Sequence, residues 1–231
     1  MIQISNLSKK YGETVVFSDL NYTFENACIY GLVGRNGAGK TTLLNILSNY
    51  DKNYTGVISI DRKKMNKVDY LDMPVAYAMD QPSFFNELTI YENLLLIASS
   101  RKIKKQEAFD KIERILDGLG LKKYKNYSPL ELSKGTMQRL NNACAMIQEE
   151  KITIFDEPFS GLDPVQMKLL ENVIVEFHKK EKGIYIISSH DIECLQNVCD
   201  KCLLLHNGQI REINMEEVDR EEIAKILSEG E

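Results

Sequence analysis

Nothing in this sequence is long and apolar enough to cross a bilayer. The longest strongly apolar run is Leu94–Ala98, against about 20 residues for a spanning helix. The opening stretch, MIQISNLSKKYG, has no basic segment followed by an apolar one, so no export signal is expected. Positive charge is not in excess either. The formal net charge is -5 with both signs interspersed, and without a basic stripe no nucleic-acid partner is expected. Cysteine is sparse and odd in number, five residues from Cys28 to Cys202. Cys199 and Cys202 have a C-x-x-C spacing, with Cys194 upstream. A zinc site would need a second Cys or His pair, and a redox site a thioredoxin-like context. Both are missing, so reduced, buried thiols that pack as small hydrophobes are expected. There is no internal repeat and no low-complexity linker. What remains is a chain of 231 residues, 43% hydrophobic and 27% charged, long enough to bury a real core.

Patterning divides the chain into three parts. The first third reads as short strands, at Ile2–Ile4, Thr14–Phe17, Leu20–Phe24, Cys28–Val33, Val57–Ile60 and Val75–Met79. Alternation and β-branched or aromatic residues support each. A helix is expected from Gly39 to Leu47. From Thr89 to Gln148 apolar residues recur at helical spacing, as in Ile112, Ile115, Leu116 and Leu119. Gly118, Gly120 and Pro129 break that run into separate helices. The last third alternates strand and helix: Ile152–Phe155, Pro164–His178, Ile184–Ser188, Asp191–Val198 and Cys202–His206. Such alternation implies a parallel sheet with helices on its faces. The expected fold is an α/β core carrying an inserted helical lobe at about residues 85–148.

Several strings carry chemistry. Gly34-Arg35-Asn36-Gly37-Ala38-Gly39-Lys40-Thr41 matches G-x-x-x-x-G-K-[ST]. It follows an apolar strand and opens a helix, the context that a phosphate-binding loop requires. Its glycines let backbone N–H groups converge on phosphate oxygens, and the helix N-terminus adds favourable partial charge. Lys40 would reach the β- and γ-phosphates, and the Thr41 hydroxyl would ligate Mg²⁺. Ile152–Phe155 ends in Asp156 and Glu157. Asp156 can hold Mg²⁺ through water, and Glu157 can polarise an attacking water. His190 follows the apolar strand Ile184–Ser188, at the strand end that faces ligands in such sheets. Taken singly, His190 reads more readily as a structural residue, and Leu132–Arg139 as a helix capped by Ser133. Asn66-Lys67-Val68-Asp69 spells a guanine-reading N-K-x-D string, but it precedes Asp156, the wrong order for that use, and is read as coincidence.

Together these motifs resemble those of the ATP-binding cassette (ABC) ATPases, over essentially the whole chain. Gly34–Thr42 is similar to their Walker A loop, and Phe155–Pro158 to Walker B with its catalytic glutamate. Gln81 resembles the Q-loop glutamine and Leu132–Thr136 the LSGGQ signature. Ser160–Asp163 resembles the D-loop and His190 the switch histidine. Tyr11 resembles the aromatic residue that stacks on adenine, with Val16 as an apolar neighbour. The resemblance implies one ABC ATPase domain over residues 1–231. Its P-loop core would have a parallel sheet, an N-terminal antiparallel β region and a helical subdomain. It implies ATP held by Tyr11, Val16, Asn36, Gly37, Ala38, Gly39, Lys40, Thr41 and Thr42. Mg²⁺ would be held by Thr41, Gln81 and Asp156, with Glu157, His190 and Gln81 as catalytic residues. It also implies a head-to-tail dimer, with itself or a paralogous subunit, in which Ser133, Lys134, Gly135 and Thr136 face the ATP of the partner. A transmembrane permease would hold the protein on the inner face of the cell membrane.

The signature departs from the family pattern, since Lys134 replaces the first Gly and Thr136 the Gln. Variants reading S-K-G resemble exporter ATPases for drugs, antibiotics or bacteriocin-like peptides. Many importer ATPases carry an added C-terminal regulatory domain, whereas about 20 residues follow Ile213 here, enough for one helix. Both points favour export. A soluble ABC ATPase of the cluster-assembly type is the alternative. A DNA-repair type needs a coiled coil for which the interval from Lys40 to Asp156 has no room, and a translation type needs two cassettes. Another P-loop enzyme, a kinase or GTPase, would lack the signature, D-loop and histidine.

Overall fold

The computed structural model describes residues 1–68, 72–190 and 192–214. Asp69 of the N-K-x-D string, Asp191 at the head of an expected helix, and the segment expected to form a terminal helix lie outside the described residues. In chain order the elements are β1 (Ile2–Tyr11), β2 (Thr14–Phe24), β3 (Cys28–Val33), α1 (Lys40–Leu47), β4 (Thr55–Ile60), β5 (Lys63–Lys64) and β6 (Val75–Ala78). There follow α2 (Ile90–Ser100), α3 (Lys105–Gly118), α4 (Lys134–Met146), β7 (Ile152–Phe155), α5 (Pro164–Glu181), β8 (Ile184–Ser189), α6 (Glu193–Gln196), β9 (Lys201–His206) and β10 (Gln209–Ile213).

The strands form two sheets. One has the order β2-β1-β4-β5 and is antiparallel; the other has the order β10-β9-β3-β8-β7-β6. In the second, β9, β3, β8, β7 and β6 run parallel and only β10 is reversed. The carboxyl ends of β3, β8, β7 and β6 therefore stand side by side, where open α/β sheets bind ligands.

Both faces of the parallel sheet are covered, so its strands are predominantly apolar. Residues alternate between two cores. Tyr30, Leu32, Ile154 and Ile186 enter the core shared with the antiparallel sheet and α1. Ile29, Val33, Phe155 and Ile187 enter the core shared with α2 to α5. The period-2 geometry of a strand sends neighbours to opposite faces, which is why a fully buried strand reads as an unbroken apolar run.

The helices start at the signals that their sequences carry. Thr89 and Glu92 form a reciprocal capping box at α2. Asp163 caps α5, with Pro164 in its first turn. The helical lobe is fastened to the sheet by charge as well as by apolar contact. Lys111 of α3 is 2% exposed; its Nζ lies 2.6 Å from a Glu149 oxygen and 3.3 Å from one of Glu181. Glu181 in turn accepts a hydrogen bond from the Tyr185 hydroxyl at 2.6 Å.

Three expectations need correction. Ile2–Ile4 is only the start of β1, and Thr14–Phe17 and Leu20–Phe24 are one strand, β2. The β1–β2 pairing slips in register three times, and each bulge shifts the alternation that defines a strand in sequence. The helix expected over 191–198 is, among the described residues, the single turn of α6. A strand was also missed. β10 pairs with β9 through a two-residue turn at Asn207 and Gly208, both with positive φ, and an Asn-Gly pair is a strong hairpin signal.

Candidate active site

The loop between β3 and α1 curls over the carboxyl edge of the sheet. Gly39 has φ 100°, and a Cβ on it would lie 2.7 Å from Cγ1 of Val16. Only glycine fits there, and the close approach brings β2 against the loop. Gly39 provides no side-chain cap for α1, so its first N–H groups point into the cleft as orphan donors. Lys40 is almost buried. Its Nζ donates to the Gly34 carbonyl at 2.6 Å and to that of Arg35 at 3.4 Å, and lies 3.6 Å from Oε1 of Glu157. The cleft here measures about 420 Å³. Its walls are Tyr11, Thr14, Val16, Arg35, Asn36, Gly37, Gly39, Lys40, Thr41, Thr42, Asp80 and Glu157.

The floor comes from β7 and β8. Asp156 is 1% exposed. Its Oδ1 accepts from the Ser188 hydroxyl at 2.6 Å, and its Oδ2 from the Tyr77 hydroxyl at 3.3 Å. Ser188 also accepts from the Glu157 backbone N–H at 2.9 Å. One hydroxyl of β8 thus fixes both acidic residues that end β7. Glu157 has φ 49°, a strained value for a non-glycine residue, and strain of that kind is tolerated where surrounding bonds over-determine it. Its carboxylate stands between two groups, Lys40 on one oxygen and Nδ1 of His190 at 3.0 Å on the other. Thr41 and Asp156 offer hard oxygen donors, the set that suits Mg²⁺.

At the open end, Tyr11 is 54% exposed. Its hydroxyl donates to Oδ2 of Asp51 at 3.1 Å. The Lys9 ammonium pairs with the same oxygen at 2.7 Å and sits 4.5 Å from the ring centroid. Burial opposes ionisation of Asp51, yet bonds from Lys9, the Asn53 N–H and Tyr11 hold its carboxyl below the usual range. The ring is therefore held from behind before any base stacks on it.

The signature segment lies elsewhere. Ser133 caps α4 and accepts from the Thr136 N–H at 3.3 Å, with the two hydroxyls 2.9 Å apart. Ser133 and Lys134 are exposed; Gly135 and Thr136 are buried. Arg139 donates to the Thr136 hydroxyl at 3.2 Å and to the Leu119 carbonyl at 2.7 Å. Thr136 thus belongs to the packing of the helix start. None of the four lines the cleft, and Gln81 does not line it either; it is exposed, next to Asp80, which does.

Sequence reasoning missed several residues that hold this site. Besides Ser188 and Tyr77 there are three amides of α4. Gln138 donates to the Glu157 carbonyl at 3.2 Å, Asn142 to that of Pro158 at 3.2 Å, and Asn141 to that of Met79 at 2.7 Å. A run of amides on an otherwise apolar helix was the available signal. Among the described residues no disulfide joins the cysteines, and no metal-holding group of His, Cys, Asp or Glu occurs. Burial pushes Cys144 and Cys202 up to about 12, so both are thiols rather than thiolates.

A family model described as "ABC transporter" matches residues 17–160. The chain belongs to the ABC transporter family. This ABC protein is 31% identical over 222 residues to the bacitracin transport ATP-binding protein BcrA of Enterococcus faecalis, covering 95% of the chain and 71% of the relative. It is 30% identical over 211 residues to the tungstate uptake system ATP-binding protein TupC of Peptoclostridium acidaminophilum, covering 91% and 97%. A solved structure described as an ATP-binding subunit of an ABC transporter superposes with a TM-score of 0.85 at 27% identity, covering 98% of this chain and 94% of that one. The chain is an ABC transporter ATP-binding subunit and an ATPase. No helix among the described residues is long and apolar enough to cross a membrane.

Proposed function

We propose that this ATPase drives an exporter, working as a head-to-tail dimer beneath a transmembrane permease. The observation that carries the catalytic part is the position of the Glu157 carboxylate, 3.6 Å from Lys40 and 3.0 Å from His190. Tyr11 and Val16 take the base, and residues 36–42 take the phosphates. Mg²⁺ bound at Thr41 and Asp156 would neutralise charge on the β- and γ-phosphate oxygens. Glu157 orients and deprotonates the attacking water, and His190 steadies that carboxylate and the γ-phosphate. Glu157→Gln keeps the shape and loses the base. It should bind ATP normally and lose turnover by about 10²-fold or more. Full turnover in that variant, in a steady-state phosphate-release assay, would reject the assignment.

The exposed tip of α4 supports a composite site. Ser133 and Lys134 are exposed and stand away from the chain's own cleft, where a second copy's phosphates could reach them. Phe85 supports a permease contact, being 59% exposed in the loop joining β6 to α2, while Phe84 packs on the core. Export is favoured by the S-K-G variant; the bacitracin relative is named for transport and the tungstate relative for uptake. Cells carrying the chain with its permease should gain resistance to a bacitracin-type peptide. Accumulation of tungstate without such resistance would reverse the direction.

A further inference from the structure

The loop that leaves β6 places an acid and an amide side by side. The family resemblance assigns the metal- and γ-phosphate-sensing role to Gln81. The fold presents a different residue. Asp80, though exposed, is in the wall of the nucleotide cleft with Lys40, Thr41 and Glu157, and Gln81, also exposed, is not. β6 ends at Ala78, both residues sit at the bend beyond it, and of the two Asp80 alone lines the cleft.

The choice is fixed from behind. Ala78 pairs with Phe155, and its carbonyl accepts from the Asp156 N–H at 2.9 Å. The next carbonyl, of Met79, is held by Asn141 of α4 at 2.7 Å. The chain is therefore anchored on both residues before Asp80, at the level of Asp156. The charge of Asp80 also reaches this floor. Burial first, then the Asp156 and Asp80 carboxylates, push the Tyr77 phenol up, and that phenol touches Asp156.

We propose that Asp80, not Gln81, faces the metal and γ-phosphate, and that its carboxylate makes ATP binding conditional on a divalent cation. The inference rests on the ATPase reading above and deepens it. An amide is neutral and accepts a phosphate neighbour with or without metal. A carboxylate attracts a hydrated cation and repels a bare phosphate. Here Asp80 and Glu157 line one cleft with Lys40 and Arg35, and buried Asp156 lies against Glu157 beneath it, so metal-free ATP meets three carboxylates at the end of the cleft that takes its terminal phosphate. With Mg²⁺ the same three charges become an asset.

The test is a crossed measurement of affinity rather than rate. ATP binding is measured by calorimetry in excess Mg²⁺ and in excess EDTA, for the wild-type chain and for Asp80→Asn, Asp80→Glu and Gln81→Ala. Wild type should bind ATP with Mg²⁺ and poorly with EDTA. Asp80→Asn should gain about tenfold in EDTA, while its affinity in Mg²⁺ holds or falls, so the ratio between the two conditions collapses by about tenfold or more. Asp80→Glu keeps the charge and should keep the ratio, which a purely steric role would not ensure. Gln81→Ala should match wild type. A ratio unchanged within about twofold in Asp80→Asn, or an equal collapse in Gln81→Ala, overturns the inference and leaves the ATPase intact. A wild-type chain unable to bind ATP in Mg²⁺ would overturn the ATPase reading and this inference together.

Discussion

α1 and α4 begin in opposite ways. α1 starts at Gly39, with no side-chain cap and no acidic residue in its first turn. α4 starts at Ser133, whose hydroxyl already accepts from the Thr136 N–H. An uncapped N-terminus leaves its N–H groups to a ligand, and an anion there gains both hydrogen bonds and the helix dipole. A capped one has less left to offer. The difference teaches where affinity resides. In the proposed scheme the chain's own cleft would hold the phosphates through α1, whereas α4 would add to a site only when a second subunit brings one to it.

The largest effect should come from the strong end of this comparison. Lys40→Ala removes a cation that satisfies two carbonyls and faces Glu157. ATP affinity measured by calorimetry should fall at least about 100-fold, the loss of two or more charge-assisted hydrogen bonds, with the fold intact by circular dichroism. Near-normal affinity would remove the contrast between the two helices.

Ser133→Arg probes the conditional end. ATP binding to the isolated chain should survive, and turnover of the homodimer should be lost. Mixing it with Lys40→Ala protein places both lesions in one site of a mixed dimer and leaves the other site whole. Phosphate release should return on mixing, although neither variant alone is active. Robust turnover by Ser133→Arg alone would show that α4 contributes nothing across an interface.

The smallest effect on the isolated chain should come from Phe85→Ser. The side chain is exposed, and surface substitutions usually stay within about 0.5 kcal/mol. Soluble ATPase activity should stay within about twofold, while co-purification with the permease weakens. Intact transport with the serine variant would place the contact elsewhere.

The two halves of the site were not equally legible. The loop 34–41 is contiguous, so its spacing alone carries its geometry, and β3, β7 and β8 announce themselves because burial on both faces makes them predominantly apolar. The antiparallel sheet was harder, because bulges reset its alternation and one face meets solvent. Ser188, Gln138 and Asn141 were unreadable for another reason. Ser188 acts through two hydrogen bonds and the two amides through one each, to residues 19 to 62 positions away, and nothing local marks such a pairing. Asp80 and Gln81 show the limit most sharply. Both sit at the bend beyond β6, and composition cannot register which of them lines the cleft.

Lys111 carries a consequence for how this sequence can drift. One ammonium, 2% exposed, answers the carboxylates of Glu149 and Glu181 from three separate stretches of chain. Replace the lysine alone and two acids are left facing each other at the seam between lobe and sheet. That costs about 2 kcal/mol, below the figure for a fully buried pair because Glu149 is 40% exposed. Neutralise either acid first and the change is milder, since the other still answers the charge. Descendants of this chain should therefore lose a glutamate before they lose the lysine, and those that lose all three should show an apolar residue at position 111 packed against Phe177, whose ring already lies 5.4 Å from the lysine nitrogen.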